Sequence, residues 1–236
     1  MKKYFIWVTF FVFFFGCSPS EQELFDEGIK LMESSQYQKS IEYFDRVIQK
    51  NPENTSAFNA KGVALFQQGN FDEAIKAFTS SIELDPTSYK PFFNRGNAYL
   101  EKKSYKEALL DYNMANGLDA KQGDVYYNRG LALLGLEEYE DAIFDFDVVL
   151  QDNPNLPLAQ FNKAKAQLGN NDPVGAIGSL NNTVKLDNRN GAAYYLLGVT
   201  QMSAFGQKED GCANLKLALN LGFSEAKSWI EDFCQD

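Results

Sequence analysis

Apolar residues recur in this chain with two interleaved periods. Within the stretch 55–88, Phe58, Gly62 and Leu65 fall at i, i+4 and i+7, one face of a 3.6-residue helix. Ala74, Phe78 and Ile82 follow at i, i+4 and i+8, a second amphipathic helix facing the first. Gly62 and Ala74 are small where two such helices would press closest. Asn70 with Glu73 reads as a capping box opening the second helix. Pro86 closes it, because proline lacks an N–H donor and disfavours helical geometry before it. The unit is a helical hairpin whose inner face it cannot bury alone.

The larger period is 34 residues. Units begin at Glu21, Thr55, Tyr89, Gly123, Pro157 and Gly191. The small slot of the first helix reads Gly28, Gly62, Gly96, Gly130, Ala164 and Gly198, and that of the second reads Ser40, Ala74, Ala108, Ala142 and Ala176. Four residues on, the large slot reads Phe44, Phe78, Tyr112, Phe146 and Leu180. Pro52, Pro86 and Pro154 close three units, and Ala120 and Asn188 stand there in two others. Ser104 with Glu107 forms a second capping-box signature. The fifth unit departs most. Asp172 can cap its second helix, Pro173 takes the first position, and Gly175 and Gly178 follow inside, as close packing would require; a hinge is the alternative. The sixth is degenerate, with one extra residue near Phe205 and Gly206; a last helix capped by Ser224 runs to Phe233, with Ala226, Ile230 and Phe233 on one face.

This pattern resembles the tetratricopeptide repeat, which has the same period. The resemblance implies an all-α, right-handed superhelical solenoid of about six helix-turn-helix units over 21–222 (21–54, 55–88, 89–122, 123–156, 157–190 and 191–222). Residues 223–236 then form a capping helix over the open apolar end.

The first twenty residues break the pattern. Lys2 and Lys3 precede an apolar stretch of twelve residues, Tyr4 to Phe15, interrupted by Thr9, then Gly16 and Cys17. Such a run spans about 18 Å as a helix, short of the ~30 Å hydrocarbon core, and its layout is that of a secretory signal. Cys17 directly after Gly16 makes 1–16 resemble a bacterial lipoprotein signal, although Phe14 stands where leucine is usual. That resemblance implies cleavage before Cys17, lipid on its thiol and new amine, and a tether over 17–22. An ordinary signal peptide with an incidental cysteine is the alternative. Ser18 is not the aspartate associated with inner-membrane retention, so the expected address is an outer-membrane lipoprotein facing the periplasm.

Charge and composition remove other classes. The chain of 236 residues carries 22 basic and 32 acidic side chains, a formal charge of −10, which repels phosphate backbones and argues against nucleic acid. It has no histidine, so Ser-His-Asp and Cys-His catalysis and His-ligated zinc are excluded. Three cysteines cannot build a four-cysteine metal site, and no phosphate-binding glycine loop occurs. No cofactor or metal is expected, and the chain reads as noncatalytic. With Cys17 lipidated in an oxidising compartment, Cys212 and Cys234 are a candidate disulfide across the turn at Gly222; two buried thiols are the alternative.

In tetratricopeptide proteins the first helices line a concave groove through their positions 2, 5, 9 and 12. Carried onto this chain, position 5 is Phe25, Asn59, Phe93, Tyr127, Phe161 and Tyr195, and Asn97 and Leu131 stand at position 9. Asn94, Asn128 and Asn162 at position 6 can bond an extended backbone. Only Lys90 fits a carboxylate clamp. The expected function is an envelope scaffold holding an apolar or amphipathic segment of another protein. A subunit of outer-membrane protein insertion machinery is the second class, and a carboxylate-based envelope enzyme a remote third.

Overall fold

The computed structural model describes residues 18–119 and 123–235. The leader 1–16 and Cys17 lie outside the described residues. Thirteen helices and no strand occur among the described residues. First helices are α1 (Glu21–Glu33), α3 (Thr55–Gln67), α5 (Tyr89–Glu101), α7 (Gly123–Gly135), α9 (Pro157–Gly169) and α11 (Gly191–Phe205). Each is followed by its hairpin partner: α2 (Tyr37–Lys50), α4 (Phe71–Leu84), α6 (Tyr105–Leu118), α8 (Tyr139–Asp152), α10 (Pro173–Leu186) and α12 (Lys208–Asn220). The closing helix is α13 (Ala226–Phe233). Every helix packs on its sequence neighbour. First helices also touch the next first helix, α1 on α3 through α7 on α9, whereas no second helix makes a comparable contact with the next among the described residues. The solenoid therefore closes on its first helices, which line the concave side.

The glycine slot has a definite occupant opposite it. A Cβ at Gly62 would stand 2.5 Å from Cε1 of Phe78, and one at Gly28, Gly96 or Gly130 would stand 2.7, 2.8 or 2.9 Å from the ring of Phe44, Tyr112 or Phe146. Those four rings are fully buried, each stabilising the core by about 1.5–3 kcal/mol. The glycine therefore admits a ring; it does not bring two backbones together as the sequence suggested. Unit five shows the converse. Leu180 replaces the ring, and Ala164 fills the slot, both fully buried. In unit six the slot meets backbone instead, and a Cβ on Gly198 would lie 2.7 Å from the Gly211 carbonyl oxygen.

The expected capping boxes at Asn70 and Ser104 do not form: neither side chain caps its helix. The preceding turn removes the reciprocal half of the box, the bond from the glutamate side chain to the N–H of the capping residue. Ser35, Gly69, Lys103, Glu137 and Asn171 all have positive φ, and the next residue's N–H returns five residues to the first helix, as from Asn70 to the Leu65 carbonyl and from Ser104 to that of Tyr99. This is a Schellman turn, which takes the N–H that a capping box would bond. At Ser20, which follows the non-helical residues Ser18 and Pro19, the box forms: Ser20 N–H donates to Glu23 Oε2 at 2.7 Å, and Ser20 Oγ accepts from Glu23 N–H at 3.2 Å.

In unit five, Asp172 Oδ1 accepts from Gly175 N–H at 2.9 Å, and a Cβ on Gly175 would collide with that carboxylate and with Gln167. Gly178 faces open space, so close packing explains Gly175 alone. At the far end, α13 buries Ala226, while Phe233 is 50% exposed and stacks on Trp229 at 5.2 Å. Ser224 makes no side-chain cap there.

Candidate functional site

The concave wall is made by half-buried rings. Phe25, Phe93 and Tyr127 each lean on the buried ring of their own hairpin, with centroids 5.6 Å from Phe44, 6.1 Å from Tyr112 and 6.0 Å from Phe146. Phe161 packs against the Ala164–Leu180 cluster, and Tyr195 stacks on Phe223 at 5.0 Å. One side of each ring meets the core and the other meets solvent, so these side chains are both packing and surface. Leu131 is half-buried against the Phe146 cluster.

The asparagines form bonds within the solenoid. Asn94 Nδ2 donates to Asn59 Oδ1 at 3.0 Å, Asn128 Nδ2 to Asn97 Oδ1 at 2.9 Å, and Asn162 Nδ2 to Tyr127 Oη at 3.1 Å. Each bond links a first helix to the preceding one, so these amides brace adjacent units. Asn97 Oδ1 also accepts from the fully buried Tyr112 hydroxyl at 2.8 Å, and burial pushes that phenol's pKa up. Burial likewise raises Tyr127, against the bond from Asn162.

The groove deepens at its N-terminal end. Phe25, Ile29 and Met32 of α1, Asn59 and Val63 of α3, and Lys90 of α5 line a pocket of about 340 Å³. The sequence placed most of these on the groove but gave the later units the central part.

A second set of polar contacts escaped the sequence reading. Position 7 of the first helix reaches the preceding second helix in units two to five: Lys61 Nζ to Asp45 at 2.6 Å, Arg95 to Thr79 at 2.9 Å, Arg129 to Asn113 at 3.1 Å and Lys163 to Asp147 at 2.5 Å. Arg95 and Arg129 also grip Asp111 and Asp145 of their own hairpins through paired bonds of 2.6–2.8 Å. Those carboxylates are buried, and the two-pronged geometry satisfies both oxygens. Bonding to Asp145 holds the Arg129 guanidinium pKa up, while burial holds the Asp145 carboxyl above its usual range. The 34-residue recurrence of Arg and Asp was the signal available in the sequence.

Cys212 of α12 and Cys234, just after α13, form a disulfide with Cα atoms 5.6 Å apart. It ties α13 to the end of the stack. No described helix is long and apolar enough to cross a membrane.

The class is thus an all-α repeat solenoid with an aromatic-walled concave groove. Two models described as tetratricopeptide repeat match residues 25–89 and 123–151. These stretches are tetratricopeptide repeats, and the fold is the tetratricopeptide-repeat solenoid. Among solved structures, the chain is similar to YrrB, described as a TPR protein with an unusual peptide-binding site, at 22% identity and TM-score 0.68, covering 75% of this chain and 91% of that one. It also resembles a tetratricopeptide repeat protein from Parabacteroides merdae ATCC 43184 at 18% identity and TM-score 0.67, covering 91% of this chain and 99% of that one. The C-terminal part of a repeat protein from Cytophaga hutchinsonii superposes with TM-score 0.70 at 16% identity, covering 84% of this chain and 78% of that one. At these identities the likeness is one of fold. No curated protein matches the chain.

Proposed function

We propose that this chain is a noncatalytic scaffold, lipid-anchored through Cys17 in the cell envelope, that holds an apolar or amphipathic protein segment in its concave groove. The observation that carries the reading is the line of rings Phe25, Phe93, Tyr127, Phe161 and Tyr195, all half-buried along a groove that opens into the 340 Å³ pocket. Half-buried aromatics offer large contact area at little entropic cost, the usual character of binding hot spots. The described YrrB has a peptide-binding site on the same fold, which supports a peptide in this groove. With the asparagine amides already bonded between units, the rings and the pocket carry the anchoring. The acidic body favours basic partners and makes capture salt-dependent. The leader argues for an outer-membrane lipoprotein facing the periplasm.

The test places a photo-crosslinking residue at Asn59 or Phe93 in cells and follows the membrane fraction. A discrete protein adduct from both positions is expected. Absence of adducts from every concave position overturns the groove as the site. Labelled palmitate incorporated by the parent chain and lost in Cys17→Ser supports the anchor; an unmodified parent chain overturns it.

A further inference from the structure

The outer face of α6 carries an exposed apolar stripe that the outer face of α2 lacks. Leu110, Met114 and Leu118 stand at i, i+4 and i+8 and are 66, 51 and 40% exposed, and Phe144 of α8, one unit on from Leu110, is 61% exposed. The fold does not require apolar side chains there. The same three positions of α2 hold Glu42, Arg46 and Lys50, all exposed, and Lys76 of α4 stands where Phe144 stands in α8. A groove of about 320 Å³ lies beside Phe144, floored by Leu109 and Leu133. Its equivalent two units earlier, about 380 Å³, has Lys76 on its edge instead. One scaffold thus presents the same cleft twice, with a lysine at its edge in one copy and an exposed phenylalanine in the other.

Charge indicates the occupant. Glu138 and Asp141 edge the groove, Glu140 is exposed beside them, and α8 contains no lysine or arginine. Arg129 on the floor is already bound by Asp145. Glu138, Glu140 and Asp141 outnumber Lys106, the exposed lysine one turn before Leu110, so two copies meeting symmetrically through this face would oppose net acid to net acid, and anionic lipid would be repelled in the same way. We infer that the convex face of α6 and α8 is a second docking surface, distinct from the concave groove, for a basic amphipathic helix of another protein. Its apolar stripe lies along Leu110, Met114 and Phe144, and its lysines or arginines meet Glu138 and Asp141.

The probe is a synthetic amphipathic peptide with leucines on one helical face and lysines on the other, carrying a photo-crosslinker. Its binding to the full-length chain in detergent is followed by fluorescence anisotropy. Cross-links to α6 and α8 are expected. Leu110→Gln, Met114→Gln and Phe144→Gln together should weaken binding about tenfold or more, with the circular dichroism spectrum and melting midpoint retained. Glu138→Gln with Asp141→Gln should flatten the salt dependence. Tyr127→Ala with Phe161→Ala should leave the cross-links to α6 and α8 undiminished, which separates them from any capture of the peptide in the concave groove. The inference is overturned if a lysine–serine peptide binds equally well or if cross-links fall on the first helices alone. It is also overturned if the glutamine variant loses self-association or vesicle binding in place of peptide binding.

Discussion

The pairing of glycine with a ring can be tested by exchanging one unit's solution for another's. In Gly62→Ala the new methyl would overlap Cε1 and Cδ1 of Phe78, at 2.5 and 2.6 Å, and Phe78 is only 1% exposed. Overpacking a core of this kind costs about 2–3 kcal/mol, and alanine returns ~1 kcal/mol of helix propensity, so a net loss of about 1–2 kcal/mol is expected. Phe78→Leu alone leaves a void and should cost about 1–2 kcal/mol, less than truncation to alanine. Combined, the two recreate the buried Ala164–Leu180 pair of unit five. The double variant should therefore be more stable than the singles predict, by at least about 1 kcal/mol of coupling. Urea unfolding of all four proteins, read by far-ultraviolet circular dichroism, gives the cycle. Amide hydrogen exchange in α3 and α4 localises it. Losses that add to within about 0.5 kcal/mol would refute the ring as the reason for the glycine.

Arg129→Met strands Asp145, which is 1% exposed, and should cost about 3–5 kcal/mol at neutral pH. Burial already holds the Asp145 carboxyl above its ordinary range, so its contribution to stability is greatest below the unfolded value and falls as pH rises through the folded one. The deficit of the variant relative to the parent should accordingly shrink as pH drops through the carboxylate range, and melting curves at graded pH check this; a deficit that grows on acidification would contradict it. The Cys212–Cys234 bond closes a separation of 22 residues and contributes roughly 3 kcal/mol by restricting the unfolded chain. Replacing both cysteines by serine should speed exchange in α13 far more than in α3, and denatured, nonreduced protein should show neither of these thiols to a labelling reagent.

What the sequence made legible was what recurs locally. The hairpin follows from Phe58, Gly62 and Leu65 against Ala74, Phe78 and Ile82, because a helical face is written in spacings of three and four. The capping boxes were misread because their deciding group, the Asn70 or Ser104 N–H, is bonded in a Schellman turn whose left-handed residue is glycine only at Gly69. The Arg–Asp pairs lie 16 residues apart on facing helices, outside any single-helix pattern. For the site, the rings could be placed by position, but the partners of Asn94, Asn128 and Asn162 could not. Those bonds join helices one unit apart, and side-chain reach decides them.

The central claim is that the concave rings hold a partner and do not merely fill an inner wall. Tyr127→Ala with Phe161→Ala separates these roles when partner retention from detergent-solubilised envelope is measured well below the melting midpoint of both proteins. The account predicts that the double variant, still helical and still membrane-associated, loses the proteins that cross-link at Asn59 and Phe93. A variant that keeps those partners undiminished while melting at a markedly lower temperature would contradict it and make the rings core.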